Sequence, residues 1–321
     1  MMYPEFYGFS EDPFALTPDV KFLFLTDNHR RILDSLVHGI TQKKGFSLVM
    51  GVLGSGKTTL MLHLISILDP QVKTVFIDRP PRTFEELLEA ILLGLGLQPE
   101  GPDKSSMLWQ FNAHLLKDLA PGESVLICVD EAQNLGEEVM EELRLLANPD
   151  PRTPGPPIVQ ELFVGDLSIE EKLKARNLRQ LLQRITTTCR LEPLSPKESA
   201  QYIAHRLNGA GGVDSEIFTP DAVDSICRMS GGIPRAVNML CSLALSAGCA
   251  VSRKRVDAEL VEGVSWILQA DKSRERRRRE APWGGLLRSL GDSSPIMKVT
   301  YALWAYSLLV LGGVFFLKVF F

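Results

Sequence analysis

The sequence has no CxxC pair, and its five cysteines (Cys128, Cys189, Cys227, Cys241 and Cys249) stand among apolar neighbours. An odd number without paired spacing excludes a disulfide framework and a thiolate metal cage. It predicts buried free thiols in a reducing compartment. The first fourteen residues lack a basic run followed by a long apolar stretch, so no secretory signal is read there. No internal repeat is present. Charge of one sign is not in large excess. The formal net charge is −4 over 321 residues, which argues against a generally basic nucleic-acid binder. With 45% hydrophobic and 23% charged residues, disordered, collagen-like and coiled-coil chains are excluded as well.

The small net charge joins two unlike parts. Nine basic and three acidic residues follow Asp271, a surplus of +6, which leaves −10 on the body before it. Residues 274–279 are a basic run interrupted only by Glu275. Residues 299–317 carry no charge at all. As a helix that stretch would measure about 28 Å, enough for a hydrocarbon core of about 30 Å. Lys298 and Lys318 flank it, and Tyr301, Trp304 and Tyr306 sit towards one end, as interfacial aromatics do. A transmembrane helix is therefore expected at 299–317, after a basic juxtamembrane linker at 271–298. It accounts for the mean hydropathy of +0.04. The basic cluster precedes the span, so the body is expected in the cytoplasm and Phe321 outside. Arg276 to Arg279 are expected to meet anionic lipid head groups.

The length suggests about two domains at roughly 150 residues each. Residues 1–27 are rich in aromatics and prolines and read as an extended strap over a larger body. From residue 28 to 193, short apolar strands (46–50, 72–77, 124–129, 158–164 and 186–191) alternate with helices (28–41, 57–68, 84–95, 106–119, 137–146 and 178–184). That alternation predicts an α/β fold, a parallel sheet with helices on both faces. Residues 148–157 form a proline-rich loop. From 194 to 270 the strands stop, and four helices (197–207, 220–229, 234–247 and 256–269) read as an all-helical lid domain.

Gly51, Val52, Leu53, Gly54, Ser55, Gly56, Lys57 and Thr58 fit G-x-x-x-x-G-K-[ST] at every fixed position, with Thr59 following. The motif follows a strand and opens a helix, the context that lets backbone N–H groups and a helix N-terminus cradle phosphates. Lys57 is expected to reach the β- and γ-phosphates of ATP, and Thr58 to hold Mg²⁺. The apolar strand 125–129 ends in Asp130 and Glu131. Asp130 is expected to hold the metal with Thr58, and Glu131 to orient and deprotonate the attacking water.

These residues and the helical domain resemble the AAA+ ATPases, in particular the ExeA/GspA group of bacterial secretion ATPases with its pilus and exosortase relatives. The resemblance spans roughly residues 3–268. It is carried by Phe6-Tyr-Gly-Phe-Ser-Glu-Asp-Pro-Phe14, Leu16-Thr-Pro-Asp19, His29 with its helix, the P-loop, Asp130-Glu-Ala-Gln-Asn-Leu135, Glu142-Leu-Arg-Leu-Leu146, the stretch 178–185 and Gly231-Gly-Ile-Pro-Arg-Ala-Val-Asn238. It implies a membrane-anchored ATPase on the cytoplasmic face of the bacterial inner membrane. Such an ATPase works as a homo-oligomer with secretion or pilus assembly proteins. It also implies that Arg235 is a lid arginine on the γ-phosphate and that Arg184, with Arg179 as its rival, is an arginine finger for a neighbouring subunit. His29 is implied at the adenine pocket, alongside a packing role. The family pattern after strand 158–164 carries a glutamine sensor, where this sequence has Asp166. A carboxylate there would repel the γ-phosphate and puts the sensor role in doubt. Larger relatives continue into a periplasmic peptidoglycan-binding region, and this sequence stops soon after residue 317. A DNA-transposition ATPase and a nucleotide-gated scaffold with little hydrolysis are the alternatives. The acidic body counts against the first and Asp166 keeps the second open.

Overall fold

The computed structural model describes residues 3–148, 158–211 and 217–265. Met1–Val264 form one unit and Ser265–Phe321 a second, and the expected span and basic linker lie outside the described residues. The strap starts with a short helix rather than an extended chain, α1 (Tyr3–Tyr7), and holds a 3-10 turn at Val20–Phe22. Tyr3 and Asp12 hydrogen-bond side chain to side chain across the bend, which closes that turn of chain on itself.

Next come α2 (Asp27–Thr41), β1 (Phe46–Gly51), α3 (Lys57–Ile67) and β2 (Val72–Ile77). They are followed by α4 (Phe84–Gly94), α5 (Lys104–Lys117), β3 (Ser124–Val129), α6 (Glu137–Leu146) and β4 (Val159–Gly165). A short α7 (Ser168–Leu173), without a counterpart among the predicted elements, precedes α8 (Arg179–Arg184) and β5 (Ile185–Leu191). The five strands are parallel in the order β2-β3-β4-β1-β5. The three inner strands are buried along their whole length, whereas β5 at the edge alternates. Inner strands covered on both faces have no solvent side to signal with polar residues, hence their largely apolar reading, which Gln160 and Glu161 interrupt in β4.

The pleat sends alternate residues to opposite layers. On one face Val125, Ile127, Val129 and Phe163 pack with Leu88, Ile91 and Phe111 of α4 and α5. On the other Leu126, Cys128, Leu162 and Val164 pack with Leu36 of α2 and Leu60 and Leu64 of α3. Cys128 and Cys241 are buried, while Cys189, Cys227 and Cys249 are only half-buried, short of the burial expected for all five.

The lid consists of α9 (Pro196–Gly209), α10 (Pro220–Ser230), α11 (Pro234–Ala250) and helical turns over 258–265. Helix α9 starts on a full capping box between Ser195 and Glu198, and each of the three labelled helices carries Pro in its first turn. The strap is tied to this lid. Ser10 N and Oγ both donate to Ala210 O, at 2.9 and 2.8 Å. Tyr7 donates to Arg253 O at 2.9 Å, and Phe14 packs edge-on against Phe218. The strap thus runs along the lid before entering the α/β layer at α2.

Candidate nucleotide site

The P-loop crosses from the C-terminal tip of β1 to the first turn of α3. Gly54 and Gly56 take left-handed φ values of +80° and +95°, which a side chain would strain. Gly56 caps α3 without a side-chain acceptor, so the helix's first N–H groups stay free for an anion. Ser55 Oγ is buried in the loop with no hydrogen-bond partner, an orphan that a phosphate oxygen would satisfy. Lys57 is buried, and its Nζ donates to Gly51 O at 3.0 Å and Val52 O at 3.2 Å. Burial lowers its pKa, against the pull of the Glu131, Asp130 and Asp166 carboxylates.

Strand β3 delivers the acidic pair beside it. Asp130 is buried and hydrogen-bonded to the Thr58 hydroxyl, and its other oxygen accepts from Glu131 N at 2.8 Å. Thr58 and Asp130 are thus paired where a hard cation needs two oxygens, with further positions left to phosphate and water. No cluster of three or more His, Cys, Asp or Glu that could hold a metal ion exists among the described residues. Glu131 has φ +49°, a strained backbone of the kind that collects at functional sites.

Gln133, to which sequence reasoning gave no role, holds that strained glutamate. Its Nε2 donates to Glu131 Oε2 at 2.6 Å, and its Oε1 accepts from Asp166 N at 3.1 Å. The one signal in the sequence was its place inside Asp130-Glu-Ala-Gln133. Asp166, whose sensor role the sequence left in doubt, is engaged locally. Its Oδ1 accepts from Ser168 N at 2.8 Å and from Ser168 Oγ, so the carboxylate caps α7. Its charge still acts on Lys57.

From the lid, Arg235 N donates to Gly54 O at 3.1 Å, so the start of α11 rests on the P-loop. His29 is buried at the cavity wall beside Thr26, whose Oγ1 lies 2.7 Å from its Nδ1. Burial lowers the ring's pKa and keeps it neutral. The same cavity is lined by Lys57, Thr58, Thr59, Glu131, Arg235 and Asn238, while the strap contributes the opposite wall. Arg184 stands apart. It precedes Ile185, which pairs with Phe46 at the start of β1, so it lies at the end of the sheet away from this P-loop. Its Nη1 donates to Arg144 O at 3.0 Å and Asn148 Oδ1 at 2.7 Å, and its guanidinium lies over the Phe46 ring. Arg179 is exposed.

An AAA domain is matched over residues 40–173. General secretion pathway protein A of Aeromonas hydrophila is 38% identical over 250 residues, which are 78% of this chain and 45% of that protein. The chain therefore spans less than half of that relative. Among solved structures, Cdc6p from Pyrobaculum aerophilum superposes with a TM-score of 0.63 at 15% identity, over 77% of this chain and 68% of that one. The Aeropyrum pernix ORC2 protein, solved with ADPNP and ADP, gives 0.59 at 17% identity over 74% and 66%. At these identities the two structures show a shared fold alone. The P-loop, the acidic strand tip, the helical lid and the similarity to general secretion pathway protein A place the chain among the ExeA/GspA-like AAA+ ATPases.

Proposed function

We propose that the chain binds ATP with Mg²⁺, hydrolyses it, and couples the cycle to assembly or operation of a bacterial secretion or pilus-type envelope machine. The observation that carries the chemistry is the convergence of Lys57, Thr58, Asp130 and Glu131 at one loop, with an orphaned hydroxyl on Ser55. Thr58 and Asp130 are the residues that would hold Mg²⁺, which when bound supplies positive charge to the phosphate oxygens. Lys57 exchanges two P-loop carbonyls for phosphate oxygens. Glu131 orients the attacking water and takes its proton, with Gln133 fixing the carboxylate. Arg235 adds positive charge from the lid. Arg184, remote from its own P-loop, serves a neighbouring subunit's nucleotide in a homo-oligomer.

Hydrolysis, rather than a passive scaffold, is supported by Glu131, whose carboxylate Gln133 holds beside the P-loop. The envelope role rests on the similarity to general secretion pathway protein A. Anchoring in the inner membrane rests on residues 299–317, outside the described part. No helix among the described residues is long and apolar enough to cross a membrane. The acidic body argues against a nucleic-acid partner.

Replacing the gene in its host by a Lys57→Ala version tests the reading. Full-length protein without Mg-ATP binding, and loss of export or assembly, are expected. Normal export by a chain that no longer binds nucleotide would refute it.

A further inference from the structure

The cavity wall away from the P-loop carries a polar relay that phosphate chemistry does not use. Arg206 of α9 is buried, and it donates to Pro13 O and to Ala15 O (3.1 Å) of the strap. Its guanidinium lies 4.5 Å from the centre of the Phe22 ring. Its Nη1 also donates to the Tyr202 hydroxyl at 3.3 Å, and Tyr202 donates to Asn238 Oδ1 at 2.8 Å. Arginine has donors only. The Tyr202 oxygen therefore accepts from Arg206, and the Tyr202 O–H donates to Asn238 Oδ1. That proton fixes the amide: Oδ1 faces Tyr202, and the NH₂ group is left over.

Asn238 is buried and lines the cavity, and its Nδ2 donates no hydrogen bond among the described residues. It stands three residues after Arg235 on α11, one turn deeper from the P-loop contact. Two N–H donors thus face the cavity in an orientation that the strap and α9 together determine. A donor on the cavity wall that no protein group occupies is open to a ligand acceptor.

We propose that Asn238 reads the nucleoside part of the bound nucleotide, its amide N–H donating to a neutral acceptor, either a purine ring nitrogen or a ribose hydroxyl oxygen. Tyr202 and Arg206 are positioning residues that hold the amide in its donating orientation. The inference rests on the cavity being a nucleoside-triphosphate site. It also gives the strap a part in recognition, because the relay begins on its carbonyls.

Equilibrium binding to the full chain tests this, using Mg-ATP, its 1-, 3- and 7-deaza analogues, and its 2′- and 3′-deoxy analogues. One of these analogues is expected to bind the wild type about tenfold more weakly than ATP. A deaza compound would identify a ring nitrogen as the acceptor, and a deoxy compound a ribose hydroxyl. Asn238→Ala is expected to bind ATP about tenfold more weakly and to lose its discrimination against that same analogue. Tyr202→Phe, which lets the amide rotate, is expected to reduce the discrimination while keeping the fold. Asn238→Asp keeps the shape and removes the donors, and is expected to behave as Asn238→Ala does. An analogue penalty of equal size in wild type and Asn238→Ala would overturn the proposal, as would unchanged ATP affinity in both Asn238 variants. If the wild type binds no ATP, or binds it as well with Lys57→Ala, the site reading itself fails. Binding that Lys57→Ala abolishes, without coupling at Asn238, overturns this inference alone.

Discussion

Glu161 lies in the middle of β4, between Phe46 of β1 and Ile127 of β3, and is 1% exposed. Neither carboxyl oxygen has a hydrogen-bond partner. Burial pushes its pKa well above the ordinary 4.5, with the nearby Arg184 guanidinium pulling the other way. Arg184 is itself committed to Arg144 O and Asn148 Oδ1. The carboxyl therefore keeps its proton well above the usual carboxylate range in the folded chain. Such a group costs about 1–3 kcal/mol when left without a partner. Glu161→Met fills the same volume without the polar atoms, so it is expected to stabilise by about that much in mild acid. The Tm rises by roughly 2–4 °C per kcal/mol in a domain of this size. Above pH 4.5 the unfolded chain releases the proton while the folded one keeps it. Wild-type stability then falls with rising pH, by up to about 1.4 kcal/mol per unit. Thermal melts of wild type and Glu161→Met from about pH 4.5 upward should show a gap that widens with pH until the folded carboxyl ionises as well. A variant less stable than wild type, with a gap that stays constant over this window and shrinks only in stronger acid, would refute the reasoning. It would mean that Glu161 is ionised and paired with Arg184, where removing one partner costs about 3–5 kcal/mol.

A Cβ built on Gly54 would stand 2.7 Å from Arg235 Cβ, whereas one on Gly56 meets nothing within 4 Å. Both positions have positive φ, so Gly54→Ala should destabilise the nucleotide-free chain more than Gly56→Ala does, the excess reporting the lid contact. Equal melting temperatures would show that α11 does not rest on the loop. Arg184→Ala and Glu131→Gln chains should each be inactive alone and regain part of their turnover when mixed, since one lacks the finger and the other the base. Strictly additive inactivity across mixing ratios, measured by phosphate release, would exclude a role for Arg184 in trans.

The inner strands and the P-loop were legible because their chemistry is local. An unbroken apolar run and a fixed glycine spacing each describe themselves. Asp130 and Glu131 were legible through their place at a strand tip. Asp166 stood out because a family pattern carries a glutamine there, but its bond to Ser168, two residues on at the start of a helix too short to show a period, was not legible. The strap read as extended because its prolines disfavour helix, yet Tyr3–Tyr7 gains a helical turn and is held by α11 and Arg253. The burial of Glu161 was invisible because the neighbouring Gln160 and Glu161 read as a polar break in the strand, not as groups enclosed on both faces. Arg206 and Tyr202 were invisible because their partners lie 193 and 36 residues away, and no local pattern carries that information.

The central claim is that Glu131 is the base of an ATP-hydrolysing site. Phosphate release from Mg-ATP by the full chain, compared with Glu131→Gln at matched nucleotide occupancy, tests it most directly. The account predicts that the variant binds ATP as the wild type does and turns it over about 10²–10⁴-fold more slowly. Equal turnover by the two proteins would contradict it.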